Sequence, residues 1–410
     1  MNISVSAPVG DAPASAHTAE SPLTPDTSCP SPIPPVKPSL LSRFLAFART
    51  NVVLLVALTA AVVTMCFVPP DAEYLSYFDW STLSCLFSCL AVVGALRHIK
   101  FFTITAERIV SLTGNLRICI LALTYITFLG SMLIANDMAL LTFLPLTCYV
   151  LHSTGQEKHM ALAFILQNAA ANLGGMLTPF GNPQNLYLFG YFHIPTPAFL
   201  RAMAIPFAVS IALITLLCLV CFPGDKIRVE NRLFSPLPKP KTLLYLLLFL
   251  LVILAVFRVL PYYIALGVVV LALLLLDRKA LWEVDYPLLL TFVCFFIFAG
   301  NMVRIPAVSS FFSSLLSWNP LLVSTLCCQV ISNVPTAILL AGFTTDYRPL
   351  LLGVNIGGVG TLISSLASLI TLRTFVRNRP GEVGSYLLRF TLVNFGFLLI
   401  LFGVCTLTLL

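Results

Sequence analysis

Runs of apolar residues recur along most of the chain at a length that predicts membrane-spanning helices. A helix needs roughly 20 apolar residues to cross a bilayer, and the alternation typical of strands is absent. Two more apolar segments, 117–151 and 319–343, are interrupted by polar residues, and they predict re-entrant helical hairpins. The nine predicted crossings are 51–68, 80–97, 158–190, 196–222, 242–259, 262–276, 286–302, 348–372 and 384–410.

The two halves of the chain repeat in sequence. The stretch ANLGGMLTPFGNPQNL at 171–186 aligns without gaps to VNIGGVGTLISSLASL at 354–369. ANDMALL around Asn136 matches SNVPTAILL around Asn333, and FDWSTLSCLF earlier in the chain resembles VDYPLLLTFV. Each half also carries a short amphipathic segment, at 101–115 and 303–317, which predicts a helix at the membrane interface. Because the matches keep one order, the sequence predicts a structural repeat.

The span at 242–259 has no counterpart in the first half, so it inverts the second repeat relative to the first. We therefore predict an all-α polytopic membrane protein of two inverted repeats, each with a re-entrant hairpin and a broken transmembrane helix. The predicted domains are a disordered cytoplasmic tail (1–45), the first repeat (46–222), a cytoplasmic loop (223–241), the linking span (242–259) and the second repeat (260–410).

Composition supports the same class. The chain is 59% hydrophobic and 10% charged, whereas soluble domains are about 25% charged. With a cytoplasmic N-terminus, this topology places nineteen of the 23 basic residues on the cytoplasmic side and the C-terminus outside. We therefore expect a multi-pass protein of the plasma or inner membrane, with the lipid bilayer as partner. The net charge of +7 does not require a nucleic-acid partner.

The aligned segments at 171–186 and 354–369 combine helix breakers with polar side chains. Broken helix inside a membrane is viable only around protein or a water-filled cavity; its helix N-termini attract anions and its free carbonyls suit cations. For the second copy, plain helix packing through Gly353 and Gly357 is the alternative. The candidate binding residues here are Asn172, Gly174, Gly175, Thr178, Asn182 and Asn185, with Asn355, Gly357, Gly358, Thr361 and Ser364; Gln184, Ser365 and Ser368 add further polar groups.

Of the 16 acidic residues in the sequence, Asp137 is the one that falls near the middle of a membrane segment. An intramembrane carboxylate is costly and therefore a candidate functional group. Burial favours its neutral form and a bound cation favours its ionised form, which is the competition that proton or sodium coupling needs. The alternative is an acid that only stabilises the N-terminus of the following half-helix.

These motifs resemble the ion transporter superfamily, most closely the citrate-transporter-like anion permeases, which include arsenite permeases, NhaD-type antiporters and divalent-anion:sodium symporters. The resemblance implies that Asn136 and Asp137 form one hairpin tip and Ser332 and Asn333 the other. It also implies a homodimer with an elevator motion, and a Na⁺ site at Asn136, Asp137 and Asn172. The symporters have Ser-Asn-Thr at both tips, so Ala-Asn-Asp here favours coupling through Asp137.

The sequence thus predicts a secondary active transporter that moves a small anion, a carboxylate or oxyanion, by alternating access. Na⁺ or H⁺ is the expected coupling ion, with no other cofactor. A cation/proton antiporter of the same superfamily is the first alternative, and a channel or membrane-embedded receptor is the second. We expect no enzyme, because no nucleophile–base pair or His/Cys metal cluster stands out in the sequence.

Overall fold

Helices account for the architecture of the described chain. The computed structural model describes residues 51–227 and 237–410. Within these ranges the β-structure is limited to one isolated β-bridge, between Asn115 and Lys226. The predicted disordered tail at 1–45 lies outside the described residues, as does the middle of the predicted loop at 223–241.

Within the described ranges, eighteen α-helices follow one another in the order that the apolar pattern predicts. The first half contains α1 (Val52–Met65), α2 (Trp80–His98), α3 (Phe101–Ser111), α4 (Leu116–Ile134), α5 (Asn136–Ser153), α6 (Met160–Gly174), α7 (Pro183–Tyr191) and α8 (Thr196–Cys221). The rest contains α9 (Lys239–Val256), α10 (Tyr262–Leu276), α11 (Arg278–Trp282), α12 (Tyr286–Arg304), α13 (Pro306–Trp318), α14 (Pro320–Ile331), α15 (Asn333–Ala341), α16 (Tyr347–Ile356), α17 (Leu366–Asn378) and α18 (Val383–Leu409).

Seven helical segments within the described residues are long and apolar enough to cross a membrane. The protein is therefore an integral, multi-pass membrane protein. One of the seven is Leu116–Ile134, which the sequence assigns to a hairpin arm; length alone does not distinguish an arm from a crossing. The predicted total of nine crossings and the orientation of the termini stay predictions.

The two interrupted segments share an unusual backbone geometry. Ala135 joins α4 to α5 with φ of 62°, and Ser332 joins α14 to α15 with φ of 76°. Positive φ is rare in residues other than glycine, so both connections are locally strained. Each is followed by an asparagine whose Oδ1 accepts a hydrogen bond from the next backbone N–H, at 2.9 Å in both copies.

Helices at aligned positions in the two halves also begin with the same kind of N-terminal cap. The Asp79 and Asp285 side chains cap the N-termini of α2 and α12. Asn115 and Asn319 do the same for α4 and α14. These shared caps satisfy free N–H groups at corresponding helix starts, as a structural repeat would. The inversion of one repeat relative to the other stays a prediction.

The core is centred on α6, where 89% of the spanning segment is buried. This helix packs against α4, α5 and α8 of its own half and against α17 and α18 of the other half. On another side, α1 packs along α12, and Asn301 donates a hydrogen bond to the Thr64 hydroxyl at 3.2 Å. The α1–α12 pair forms one wall of the cavity described below.

An ion pair holds the external end of this wall in the predicted topology. Arg304, at the end of α12, donates from both terminal nitrogens to Asp71, at 2.6 and 3.1 Å. This hydrogen bonding lowers the pKa of the Asp71 carboxyl from its usual 3.8. The contact connects the loop after α1 to α12, and it is solvent-exposed, so its contribution to stability is small.

Candidate functional site

The first connection, at Ala135, brings Asn136 into the protein interior. Asn136 is 5% exposed, and its Nδ2 donates to Oδ1 of Asn172 at 3.1 Å and to Oγ of Ser365 at 3.5 Å. Asn172 lies in the last turn of α6 and Ser365 just before α17. One amide at the start of α5 therefore contacts both broken segments, each from a different half of the chain.

The second connection, at Ser332, is placed similarly. Asn333 is 4% exposed, and its backbone N–H donates to the carbonyl of Ser364 at 3.0 Å. Thr361 donates to the carbonyl of Gln329, four residues before Asn333, at 2.9 Å. In the first half, Thr178 donates to the carbonyl of Met132, four residues before Asn136, at 3.1 Å. The two predicted threonines thus have equivalent partners.

Further amides connect the two halves behind these connections. Asn355 donates to Oδ1 of Asn185 at 2.6 Å, and Asn168 donates to Oγ of Ser368 at 3.2 Å. All four side chains are buried. Polar residues of the two halves therefore face each other in one buried layer, although their sequence positions lie 170 and 200 residues apart.

A cavity of about 850 Å³ lies in front of this polar layer. Its lining includes the first residues of four half-helices: Asn136 and Asp137 of α5, Pro183 and Gln184 of α7, Asn333 and Val334 of α15, and Leu366 of α17, preceded by Ser365. The opposite wall comes from α1 and α12. Four helix N-termini therefore border one cavity, and each carries partial positive charge.

At most of these N-termini the N-cap residue gives no side-chain cap, although the Oδ1 atoms of Asn136 and Asn333 accept from the N–H groups of Asp137 and Val334. Within the described part of the chain, the N-cap residues of α5, α7 and α15 accept no capping hydrogen bond through their side chains. For α17, Ser365 accepts from the backbone N–H of Ala367. Uncapped N–H groups at a helix start form a natural binding position for an anion.

Buried oxygen atoms without hydrogen-bond partners lie on the same elements. Among the described residues these include Oδ1 of Asp137, Oε1 of Gln184, Oδ1 of Asn182 and Oδ1 of Asn355. A buried acceptor without a donor is costly, and such oxygens suit a cation, a proton or a ligand hydroxyl. Asp137 and Gln184 line the cavity, whereas the two asparagines lie behind it.

The structure divides the predicted residues into two groups. The cavity lining contains Asn136, Asp137, Ser332 and Asn333. The others lie outside the lining: Asn172, Gly174, Gly175, Thr178, Asn182, Asn185, Asn355, Gly357, Gly358, Thr361 and Ser364. Binding by either group stays a prediction.

The glycines allow close packing between elements. A Cβ on Gly174 would lie 2.2 Å from the carbonyl oxygen of Phe128, and one on Gly357 would lie 2.8 Å from Cβ of Cys328. A Cβ on Gly175 would lie 2.3 Å from Oδ1 of Asn182. All three distances are below van der Waals contact, so these positions require glycine for the approach of neighbouring protein atoms.

Two groups in the polar layer were not predicted from the sequence. Asn168 lies one turn before Asn172 and contacts Ser368, and its i−4 spacing on one helix face was the available signal. Gln329 holds the second broken segment through its amide, with Nε2 2.9 Å from the carbonyl of Gly357 and Oε1 2.9 Å from the N–H of Thr361. Nothing in the local pattern distinguishes Gln329 from a solvent-facing glutamine.

Together, the apolar spans and the interrupted helices around a central cavity define a polytopic transporter of the membrane. The sequence profile of the citrate transporter family matches residues 44–348. The chain belongs to this family, which confirms the resemblance inferred from its motifs.

Individual similar proteins are consistent with membership of this family. An uncharacterized transporter of Methanocaldococcus jannaschii is 35% identical over 77% of this chain and 86% of its own length. The inner membrane protein YbiR of Escherichia coli is 30% identical over 72% of this chain and 80% of its own length. The crystal structure of the Alcanivorax borkumensis YdaH transporter, which has an unusual topology, matches with a TM-score of 0.52 over 87% of this chain and 97% of that one. At 11% identity, that match describes the fold alone.

Proposed function

We propose that this protein is a secondary active transporter for a small anion, a carboxylate or an oxyanion. The convergence of four half-helix N-termini on one cavity carries the proposal. Helix N-termini stabilise negative charge without a basic side chain. The citrate transporter family gives a carboxylate as precedent for this substrate class.

Asp137 couples this transport to H⁺ or Na⁺. The carboxylate lines the cavity, and one of its oxygens is buried without a hydrogen-bond partner among the described residues. A proton or a sodium ion bound there offsets the cost of burial, and losing it restores that cost. For Na⁺, the amide oxygen of Asn136 or Asn172 would supply further ligands of the hard type that this ion prefers.

The repeats give a route to alternating access. The same positive-φ connection, the same following asparagine and the same threonine contact occur in both halves. In an inverted arrangement, one set opens the cavity to each side of the membrane in turn. The α1–α12 wall contributes mostly apolar contacts to the cavity, so movement of the broken segments along it breaks few polar interactions.

The test is flux into proteoliposomes containing the purified protein. We expect saturable uptake of one or more of arsenite, phosphate, sulfate, succinate, citrate and monocarboxylates, driven by an imposed pH or Na⁺ gradient. A thermal-shift screen against the same anions, Na⁺ and Li⁺ identifies the ligand first. Conductance at channel rates, or uptake that never saturates, would contradict the proposal.

A cation/proton antiporter is the second candidate, because Asp137 is a carboxylate within the cavity. Such an antiporter exchanges H⁺ for Na⁺ or Li⁺ without any organic or inorganic anion. The same liposomes distinguish the two functions: proton release on adding Na⁺ in the absence of other substrates supports the antiporter. A strict requirement for an anion supports the transporter proposed first.

A further inference from the structure

The cavity lining combines a small polar group with a larger apolar group. The polar group includes Asn136, Asp137, Gln184, Asn333 and Ser365, which belong to the tips and half-helix starts described above. The remaining lining is largely aliphatic and aromatic; its rings are those of Phe295, Phe298 and Phe312. A ligand that fills the cavity therefore contacts amide groups of the half-helix starts and a larger hydrocarbon surface.

The charges around the cavity are few. Among the residues of the described ranges 51–227 and 237–410 that line the cavity, none is Lys, Arg or His. Asp137 is the one acidic residue in this lining. Arg97 contacts the first turn of α5 from outside the lining, with Nη1 3.4 Å from Sδ of Met138. Four helix N-termini supply roughly two positive charges in total, and an ionised Asp137 cancels one of them. The remainder balances a single negative charge.

The cavity also opens onto the apolar surface of the helices. Leu326, Val330 and Ile363 belong to its lining and are 56, 72 and 57% exposed. These side chains lie on or beside membrane segments, where an apolar surface is favourable against lipid. A hydrocarbon group of a ligand therefore has apolar surroundings both inside the cavity and at its opening.

We infer that the transported anion is a monoanion with an apolar body, such as a medium-chain aliphatic or an aromatic carboxylate, rather than a compact polyanion. This inference rests on the proposed function and narrows its substrate class. The carboxylate lies among the helix N-termini and the tip amides, and the body lies against the phenylalanine rings. A tricarboxylate places two more charges against hydrocarbon without counter-charges, which is strongly unfavourable.

The first test measures binding of a homologous series to the purified full-length protein. Acetate, butyrate, hexanoate and octanoate are titrated by calorimetry, with succinate, citrate, phosphate and sulfate beside them and hexanamide as the uncharged control. We expect affinity to rise about fourfold per added methylene until the cavity is full. Hexanamide, succinate and citrate bind at least tenfold more weakly than hexanoate.

The outcomes separate this inference from the function on which it rests. Succinate, citrate, phosphate or sulfate binding more tightly than hexanoate overturns the inference and leaves the anion transporter in place. Failure of all these anions to bind or be transported overturns both. If affinity does not rise with chain length, the inference that the ligand has an apolar body is wrong.

A pair of adjacent phenylalanines provides a matched variant test. Phe312 lines the cavity, whereas Phe311, on the same helix, does not and is 61% exposed. We expect Phe312→Ala to weaken hexanoate binding about tenfold while acetate binding changes little, because the ring contacts the body and not the carboxylate. Phe311→Ala leaves both affinities unchanged. An equal loss for acetate and hexanoate in Phe312→Ala would indicate a general packing defect and overturn the assignment.

Discussion

In the first broken segment, 171–186, the amide of Asn185 holds the loop, whereas in the second, 354–369, a glutamine from the neighbouring hairpin does so. Nδ2 of Asn185 lies 3.3, 3.2 and 3.4 Å from three carbonyl oxygens of its own segment. In the second copy, the amide of Gln329 reaches the loop from α14. Both arrangements satisfy the buried backbone groups that a broken helix leaves unpaired.

The two tips differ in charge. Asp137 follows Asn136 in the first copy, and Val334 follows Asn333 in the second. Both residues line the cavity at aligned positions, so the shared backbone does not need a carboxylate there. The comparison indicates that the two copies share a backbone arrangement, while the first copy adds a carboxylate at its tip.

The largest expected effect comes from removing this difference. We expect Asp137→Asn to reduce gradient-driven transport about 100-fold or more, because a neutral amide cannot exchange a proton or balance a bound cation. Substrate binding at equilibrium and the yield of folded protein should change far less. Uptake into proteoliposomes with and without an imposed pH or Na⁺ gradient measures the loss.

Val334→Asn at the aligned position is the matched control, and it should retain gradient-driven uptake. If Asp137→Asn keeps the full pH and Na⁺ dependence of wild type, the carboxylate serves only the start of α5.

The next effect concerns the glycines of the two copies. A Cβ on Gly175 meets the whole Asn182 amide, at 2.3 Å from Oδ1, whereas one on Gly358 has its nearest contact at 3.1 Å, to Nδ2 of Asn333. We expect Gly175→Ala to cost about 1–3 kcal/mol of stability through overpacking. Gly358→Ala should cost less, and thermal unfolding in detergent compares the two.

The double variant Gly175→Ala/Asn182→Ala tests the cause, since removing the amide should recover much of the loss. Gly267→Ala has no atoms within 4 Å of the added Cβ and should be neutral or slightly stabilising. A Gly175→Ala protein as stable as wild type would show that the loop relaxes freely.

The sequence predicted the order of the helices and the positions of the breaks because these follow local chemistry. The apolar period is interrupted by polar residues, glycine or proline at the connections around Ala135 and Ser332 and at the loops near Gly175 and Gly358. In the second copy the break forms without proline, from glycines and serines alone. The amphipathic helix α3 ends at Ser111, a few residues before its predicted end, because Asn115 caps the start of α4.

The cavity and the cross-chain contacts could not be predicted in the same way. The hydrogen bond between Asn168 and Ser368 joins residues 200 apart, and nothing in either local pattern identifies the other. The pattern also does not state which polar groups of a broken segment reach the cavity and which lie behind it. Gly175, a predicted binding residue, lies close to the Asn182 amide, a contact that the local pattern does not identify.

A comparable effect should follow from removing the Gln329 amide, which holds the second broken segment. Gln329→Met places there the residue that the first copy has at Met132, and it removes hydrogen bonds to the carbonyl of Gly357 and the N–H of Thr361. Leaving these buried groups unsatisfied costs about 1–3 kcal/mol. Met132→Leu, which keeps apolar volume, should cost less. Equal unfolding temperatures for the two variants would remove the proposed asymmetry.

The smallest effect is expected where the copies agree. Thr178 and Thr361 each donate to a carbonyl in the last turn of a hairpin helix, at 3.1 and 2.9 Å, and such carbonyls have no partner within the helix itself. Thr178→Val and Thr361→Val should therefore each lower the free energy of unfolding by about 1 kcal/mol, and the two losses should be similar. Thr105→Val, on the exposed face of α3 where the hydroxyl bonds only within its own helix, should cost almost nothing. Chemical unfolding in detergent measures all three, and a clear difference between the first two would show that the repeats are not equivalent even at their shared contact.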